Sequence, residues 1–310
     1  MKVLITPRGF ANYGVDLVKK MEEKGLTVHY NNSGKAYAND EFRALAKDAD
    51  AIIVGVDDMS REMMEGCPNL KAVCKFGVGT DNIDLDYAKE RGIYVGRTVG
   101  SNSRAVAEHV IAMIFAEAKN IYTTLRDVKE HQWNKPTGRE INGKTLGIVG
   151  FGQIGKYLAT YANGLGMNVL AYDAFEIKDE IALEYHVTKA SLEEIIETSD
   201  YISLHVPLLD STRNMISEKE FKKMKQDACL INAARGGIVD EKALYNALVK
   251  KEIRSACFDV YSTEPPEKDD PLVALDNFLL TPHTAARSKE SERRTCEMSS
   301  EIIVKQLLGE

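Results

Sequence analysis

Three polar side chains follow apolar, β-branched runs in the last quarter of the chain. Arg235 comes after ACLINAA and before Gly236 and Gly237, Glu264 after RSACFDVYST and before two prolines, and His283 after FLLTP. In doubly wound sheets ligands sit beyond the carboxyl ends of strands, where residues in these positions fall. Together the three meet the needs of proton-coupled chemistry at a carbon beside a carboxylate. A histidine gives or takes a hydroxyl proton near neutral pH. A carboxylate next to it orients the ring and favours its protonated form. An arginine clamps a substrate carboxylate with fixed geometry and polarises the neighbouring oxygen. Oxidation of a 2-hydroxy acid, or reduction of a 2-oxo acid, calls for these three functions. Each residue alone is as readily structural, and their joint occurrence carries the reading.

The hydride partner for that chemistry has its own signature upstream. Residues 150–155 read GFGQIG, so Gly150, Gly152 and Gly155 fill G-x-G-x-x-G. The pattern alone is weak, but its context agrees. TLGIVG runs into it as a strand, residues 153–164 run out of it as a helix, and a second strand ends in Asp173. Gly150 suits a tight turn, Gly152 a close approach of backbone to pyrophosphate, and Gly155 close packing of helix on strand. The first helical residues, Gln153 and Ile154, offer N–H groups and the positive end of the helix dipole to phosphate. Asp173 suits the hydroxyls of an adenosine ribose, and Ala174, Phe175 and Glu176 bring no cation for a 2′-phosphate. NAD is the expected cofactor, and no metal site is expected.

These residues need a scaffold, and the sequence supplies one twice. KVLIT (2–6), LTVHY, AIIVG (51–55), KAVCKF (71–76) and IYVG (93–96) alternate with helical stretches near 13–24 and 40–47. The pattern restarts at TLGIVG (145–150). It continues through MNVLAYD (167–173), DYISLHV (200–206), ACLINAA (228–234), RSACFDV (254–260) and FLLTPH (278–283). Strands with little polar alternation, separated by helices, indicate parallel sheets covered on both faces. We expect an α/β protein of two doubly wound domains, Rossmann- or flavodoxin-like, with a cleft between them. Residues 101–121 and 285–307 read as long helices joining the two. The substrate domain is expected to be discontinuous, over 1–100 and 285–310, with the NAD-binding domain over 101–284. The helix 101–121 is apolar on more than one face (Val106, Val110, Ile111, Met113, Ile114, Phe115). Together with an arm over 122–140 that carries Trp133, it predicts a homodimer.

Composition narrows the class. A chain of 310 residues suits about two domains. A net charge of −7, with signs interspersed, leaves no electrostatic footprint for nucleic acid or an anionic membrane. No run approaches the roughly 20 apolar residues of a membrane span, and MKVLITPRGF lacks the apolar core of a signal peptide. Cys67, Cys74, Cys229, Cys257 and Cys296 lack CxxC spacing, and several lie among apolar neighbours, as buried reduced thiols do. A cytoplasmic protein acting on a small 2-oxo or 2-hydroxy acid is expected.

From about residue 45 onward the chain resembles the D-isomer-specific 2-hydroxyacid dehydrogenases. The segments that carry the resemblance are KFGVGTDNIDLDYAKERGIYV, AEHVIAMIF, GKTLGIVGFGQIGK, VPLLDSTRNMI, INAARGGIVDEKAL, FDVYSTEPP and TPHTAA. The resemblance implies that Arg235 binds substrate, that His283 is the acid/base and that Glu264 pairs with it. It implies that backbone N–H groups of Gly77, Val78 and Gly79 hold the substrate carboxylate, with Asn102 and Ser103 in the loop entering the joining helix. Further cofactor contacts are implied at His205, Val206, Pro207, Ala233, Asp259 and Ala285, with Asp259 on the nicotinamide side. Through RGGIVDE and VYSTEPP the phosphoglycerate dehydrogenases of the family are most similar. At VGVDDMS (54–60), however, Gly55 stands where those enzymes carry an arginine for the phosphate. Asp57 and Asp58 oppose a phosphate there, and Lys75 is the one compensating cation expected to bind substrate. Glyoxylate, hydroxypyruvate, lactate and branched 2-oxo acids stay open as substrates. The resemblance also extends to NADH-sensing corepressors, which need a peptide-binding surface, and to formate dehydrogenases, which have an amide in place of Glu264.

Overall fold

The computed structural model describes residues 1–309. They form two compact units: Met1–Asn102 with the C-terminal segment that begins at Arg287, and Ser103–Ala286.

The first unit is built on five parallel strands: β1 (Lys2–Ile5), β2 (Thr27–Tyr30), β3 (Ala51–Val54), β4 (Ala72–Lys75) and β5 (Tyr94–Arg97). They lie in the order β2-β1-β3-β4-β5. Helices α1 (Gly9–Tyr13), α2 (Val15–Glu23), α3 (Asn39–Ala46), α4 (Arg61–Glu65) and α5 (Leu85–Glu90) connect them. All four residues of β3 are buried, as a strand covered on both faces requires. Phe42, Met63, Met64 and Tyr87 fill one face. Phe10 and Met21 fill the other, with Cys296 and Ile303 from the C-terminal helix, Lys289–Leu308. That helix is therefore part of this unit's core. Its start is fixed by Ser288, whose hydroxyl accepts the Ser291 N–H at 3.1 Å.

The second unit has seven strands: β6 (Thr145–Val149), β7 (Asn168–Tyr172), β8 (Thr188–Lys189), β9 (Tyr201–Leu204), β10 (Cys229–Asn232), β11 (Ser255–Phe258) and β12 (Phe278–Leu280). They lie in the order β12-β11-β10-β9-β6-β7-β8, and every pairing is parallel. The order reverses between β6 and β9, so loops after these two strands flank the switch point where such sheets bind ligands. The covering helices are α6 (Ser103–Ala118), α7 (Ile121–Lys129), α8 (Gln153–Gly164), α9 (Asp179–Glu184), α10 (Leu192–Thr198), α11 (Glu218–Phe221) and α12 (Glu241–Val249). Strand β8 is two exposed residues, Thr188 and Lys189, so it leaves no apolar signal in the sequence.

One expectation about helices is corrected. The pattern over 101–121 predicts a single helix, but α6 ends at Ala118. Asn120 takes a left-handed backbone, φ 53°, and α7 starts anew at Ile121. The apolar excess of α6 is also absorbed within the unit. Val110, Met113 and Ile114 are buried in the cluster that α8 and the sheet share, and Ile111 and Phe115 pack on it. The uncovered apolar surface is on α7 instead, which buries no residue and exposes Ile121, Tyr122, Leu125 and Val128. Among the described residues no helix is long and apolar enough to cross a membrane.

Candidate active site

Arg235 leaves the end of β10, Glu264 follows β11, and His283 follows β12. These strands are neighbours and parallel, so all three residues emerge at one edge of the sheet. Glu264 and His283 touch, with imidazole Nδ1 2.8 Å from Glu264 Oε2. A carboxylate only accepts, so the proton of this bond is on Nδ1, and Nε2 is the nitrogen left to exchange a proton. Glu264 is itself held, Oε1 accepting the Tyr261 N–H at 3.0 Å. The two side chains are 49% and 40% exposed, which leaves them open to a small molecule while the sheet fixes their backbone.

Arg235 is positioned by Asn232, a fully buried residue that sequence reasoning passed over. Its amide donates to the Arg235 carbonyl at 2.8 Å and accepts the Ala234 N–H at 3.0 Å. This tightens the turn after β10. The next residue must be glycine, since a Cβ on Gly236 would lie 2.1 Å from the Tyr261 carbonyl oxygen. The Arg235 guanidinium donates to the Ala234 carbonyl at 2.7 Å.

The Gly-rich turn joins β6 to α8. Gly150 has φ 99°, and a Cβ there would come within 2.6 Å of the His205 carbonyl at the end of β9. A Cβ on Gly155 would come within 2.6 Å of the Gly150 carbonyl, so helix and strand touch. Gly152 differs: a Cβ would meet nothing within 4 Å, and no side chain caps the start of α8. The first N–H groups of that helix have no intrahelical partners, and the space beside Gly152 is open, as the approach of a pyrophosphate requires. Asp173 follows β7 and accepts N–H bonds from Phe151 at 2.7 Å and Phe175 at 3.0 Å. It lines a cavity of about 310 Å³ with Tyr172, Phe175, Ile177, Lys189 and Ser191. Lys189 is a cation that reading only the residues after Asp173 missed, and Asp179 pairs with it. Val206, Pro207 and Ala233 follow β9 and β10 at the same edge. The residues present fit a dinucleotide.

Three residues expected at the cofactor also make contacts within the protein. Asp259, expected on the nicotinamide side, is 1% exposed and holds the loop that carries His283. It accepts from Thr281 Oγ1 at 2.5 Å, Thr284 N at 2.8 Å and Ala285 N at 2.7 Å. The Ala285 N–H is consumed in the same way. His205 contributes chiefly through its carbonyl against Gly150. Its ring Nε2 bonds Ser203 Oγ at 2.8 Å, Nδ1 is buried without a partner, and burial lowers its pKa to about 4.

In the first unit, Gly77, Val78 and Gly79 follow β4, with Gly77 at φ 146° and Val78 exposed. Lys75 departs from the expectation of a lysine held out for substrate. Its ammonium donates to the Gly55 carbonyl and to Asn82 Oδ1, both at 2.6 Å. Asp57 accepts from the buried Thr6 hydroxyl beside it. Asn102 Oδ1 is buried with no hydrogen-bond partner, and all five cysteines are buried thiols. Among the described residues no group of three His, Cys, Asp or Glu side chains gathers to hold a metal.

The sequence profile of the D-isomer specific 2-hydroxyacid dehydrogenase NAD-binding domain matches residues 111–285. The chain belongs to this family. It is 40% identical over 274 residues to a glyoxylate reductase of Korarchaeum cryptofilum, covering 85% of this chain and 81% of the relative. It is 37% identical over 299 residues to a D-3-phosphoglycerate dehydrogenase of Methanocaldococcus jannaschii, covering 95% of this chain but 56% of the relative. The crystal structure of D-lactate dehydrogenase from Aquifex aeolicus, complexed with NAD and lactic acid, matches all of this chain and 96% of its own. Its TM-score is 0.83 at 30% identity. This dehydrogenase therefore interconverts a D-2-hydroxy acid and its 2-oxo acid with NAD as cofactor.

Proposed function

We propose that His283 is the acid/base of this reaction, that Glu264 orients it, and that Arg235 holds the substrate carboxylate and polarises the C2 oxygen. The observation that carries the proposal is the 2.8 Å contact between His283 Nδ1 and Glu264 Oε2. It directs the Nε2 proton outward, to the oxygen that gains charge during reduction. NAD supplies or accepts the hydride. Arg235 stabilises the developing charge on oxygen, usually the largest single contribution in such sites. Backbone N–H groups of Gly77, Val78 and Gly79 are proposed to hold the substrate carboxylate.

The substrate we propose is small and unphosphorylated, of the glyoxylate or hydroxypyruvate kind. Lys75 is committed to Gly55 and Asn82, and Asp57 adds negative charge beside them. A phosphate dianion there would have to displace hydrogen bonds and face a carboxylate. Initial rates with NADH against glyoxylate, hydroxypyruvate, pyruvate, branched 2-oxo acids and 3-phosphohydroxypyruvate test this. A higher kcat/KM for the phosphorylated acid than for hydroxypyruvate would overturn it. We also propose a cytoplasmic homodimer, with α7 and Trp133, 78% exposed, as apolar surface for the second copy.

A further inference from the structure

We infer that His109 and Thr281 are positioning residues for the loop that carries His283, acting through the buried carboxylate of Asp259. The inference rests on the reading of His283 as acid/base. His283 has a left-handed backbone, φ 53°, which a residue with a side chain seldom adopts unless its surroundings impose it. The surroundings are visible. Asp259 binds the hydroxyl of Thr281 on one side of His283 and the N–H groups of Thr284 and Ala285 on the other. One side chain thus brackets the strained residue from both flanks. The His283 N–H also closes onto the Thr281 carbonyl at 2.9 Å.

Proton counting extends the bracket to α6. The Thr281 hydroxyl has one proton, which goes to Asp259 Oδ1 at 2.5 Å. Its oxygen then accepts, and the donor in reach is His109 Nε2 at 3.1 Å. His109 Nε2 also lies 3.7 Å from Asp259 Oδ1. The relay therefore runs from α6, which packs on α8 and β11, through Thr281 to Asp259 and so to the backbone on either side of His283. Each of its hydrogen bonds joins groups of the protein itself. Its effect is to hold imidazole Nε2 at one place, and a misplacement of about 1 Å at a reacting group costs on the order of 100-fold in rate.

The test compares Thr281→Val, which keeps the shape and removes both hydrogen bonds, with Thr281→Ser, which keeps the hydroxyl. His109→Phe and His109→Gln form a second such pair, Gln keeping a donor. Each is assayed for kcat, for KM of the 2-oxo acid, for NADH affinity by fluorescence and for thermal midpoint. Thr281→Val and His109→Phe are expected to lose roughly 10- to 100-fold in kcat, the scale of a small misplacement, with both affinities within about threefold. Thr281→Ser and His109→Gln should recover most of the rate. Unchanged kcat in Thr281→Val, or equal losses in the Ser and Val variants, would overturn the inference. If Thr281→Val does not fold, the His109 pair decides alone, by the same criteria. His283→Ala in the same panel separates the two levels. If it stays active, the acid/base reading itself fails, whereas an inactive His283→Ala beside a fully active Thr281→Val removes only the relay.

Discussion

The Gly-rich turn after β6 and the histidine loop after β12 leave the same edge of the same sheet, yet they are held in opposite ways. The turn is shaped by missing side chains: Gly150 and Gly155 exist so that β9, β6 and α8 can touch. The loop is shaped by side chains from afar, since His109, Asp259 and Glu264 all reach to residues 281–285. The first arrangement should tolerate no added atom at Gly150 or Gly155, and the second no lost hydrogen bond. On the proposed roles the difference also divides labour, with cofactor binding resting on backbone and proton transfer resting on side chains.

That division makes its largest prediction at His283. His283→Ala should lower kcat by about 10²- to 10⁴-fold, the usual worth of general acid–base catalysis. NADH affinity, measured by fluorescence titration, should stay within a few-fold. A loss of NADH binding as large as the loss of rate would show that the loop serves the cofactor too, and the contrast would fail.

Two glycines test the other half. Gly150→Ala puts a Cβ 2.6 Å from the His205 carbonyl oxygen at a backbone angle, φ 99°, that disfavours any side chain. It should destabilise the protein by at least about 2 kcal/mol, through backbone strain and overlap together. Gly152→Ala has open space around the new methyl group. It should keep the stability of the parent and weaken NADH binding, because the methyl occupies the approach of the pyrophosphate. Urea denaturation and NADH titration of both variants check this, and normal NADH affinity in Gly152→Ala would move the pyrophosphate elsewhere.

The same contrast explains what the sequence revealed. The strands were legible because burial on both faces leaves unbroken apolar runs, as in AIIV of β3 and CLIN of β10. The nucleotide turn was legible because its glycines act at fixed local spacing. Arg235, Glu264 and His283 were legible as residue types at strand ends. Asn232 and His109 were not, because a polar residue inside a strand or helix carries no sign of its partner until the fold brings the partner close. Asp259 shows the same limit: the resemblance points it toward the cofactor, and only the fold reveals that its hydrogen bonds hold the loop of His283. Asn120 ended α6 early through a left-handed backbone that no hydrophobic period reports.

The smallest effect lies where the two regions meet, at His205, whose carbonyl packs on Gly150 and whose ring is half-buried with Nδ1 unpartnered. Burial lowers its pKa from 6.5 to about 4, so the folded protein keeps the ring neutral over a range in which the unfolded chain is protonated. Below pH 6.5 the unfolded state binds the extra proton, and stability falls as pH drops toward 4. Below about 4 both states are protonated, and this dependence flattens. The full difference sets a ceiling of about 3 kcal/mol at 1.36 kcal/mol per unit, and partial exposure of the ring reduces it to about 1–2 kcal/mol. His205→Gln removes the titrating group, so the difference in unfolding free energy between the two proteins should vary with pH over this window. Other ionisable groups are common to both proteins and cancel in that difference. Urea titrations at pH 7.5, 6 and 5 measure it. A constant difference across the three would mean that His205 takes up its proton as readily in the folded protein as in the unfolded chain, and that the contact of β9 with the Gly-rich turn leaves the ring accessible to water.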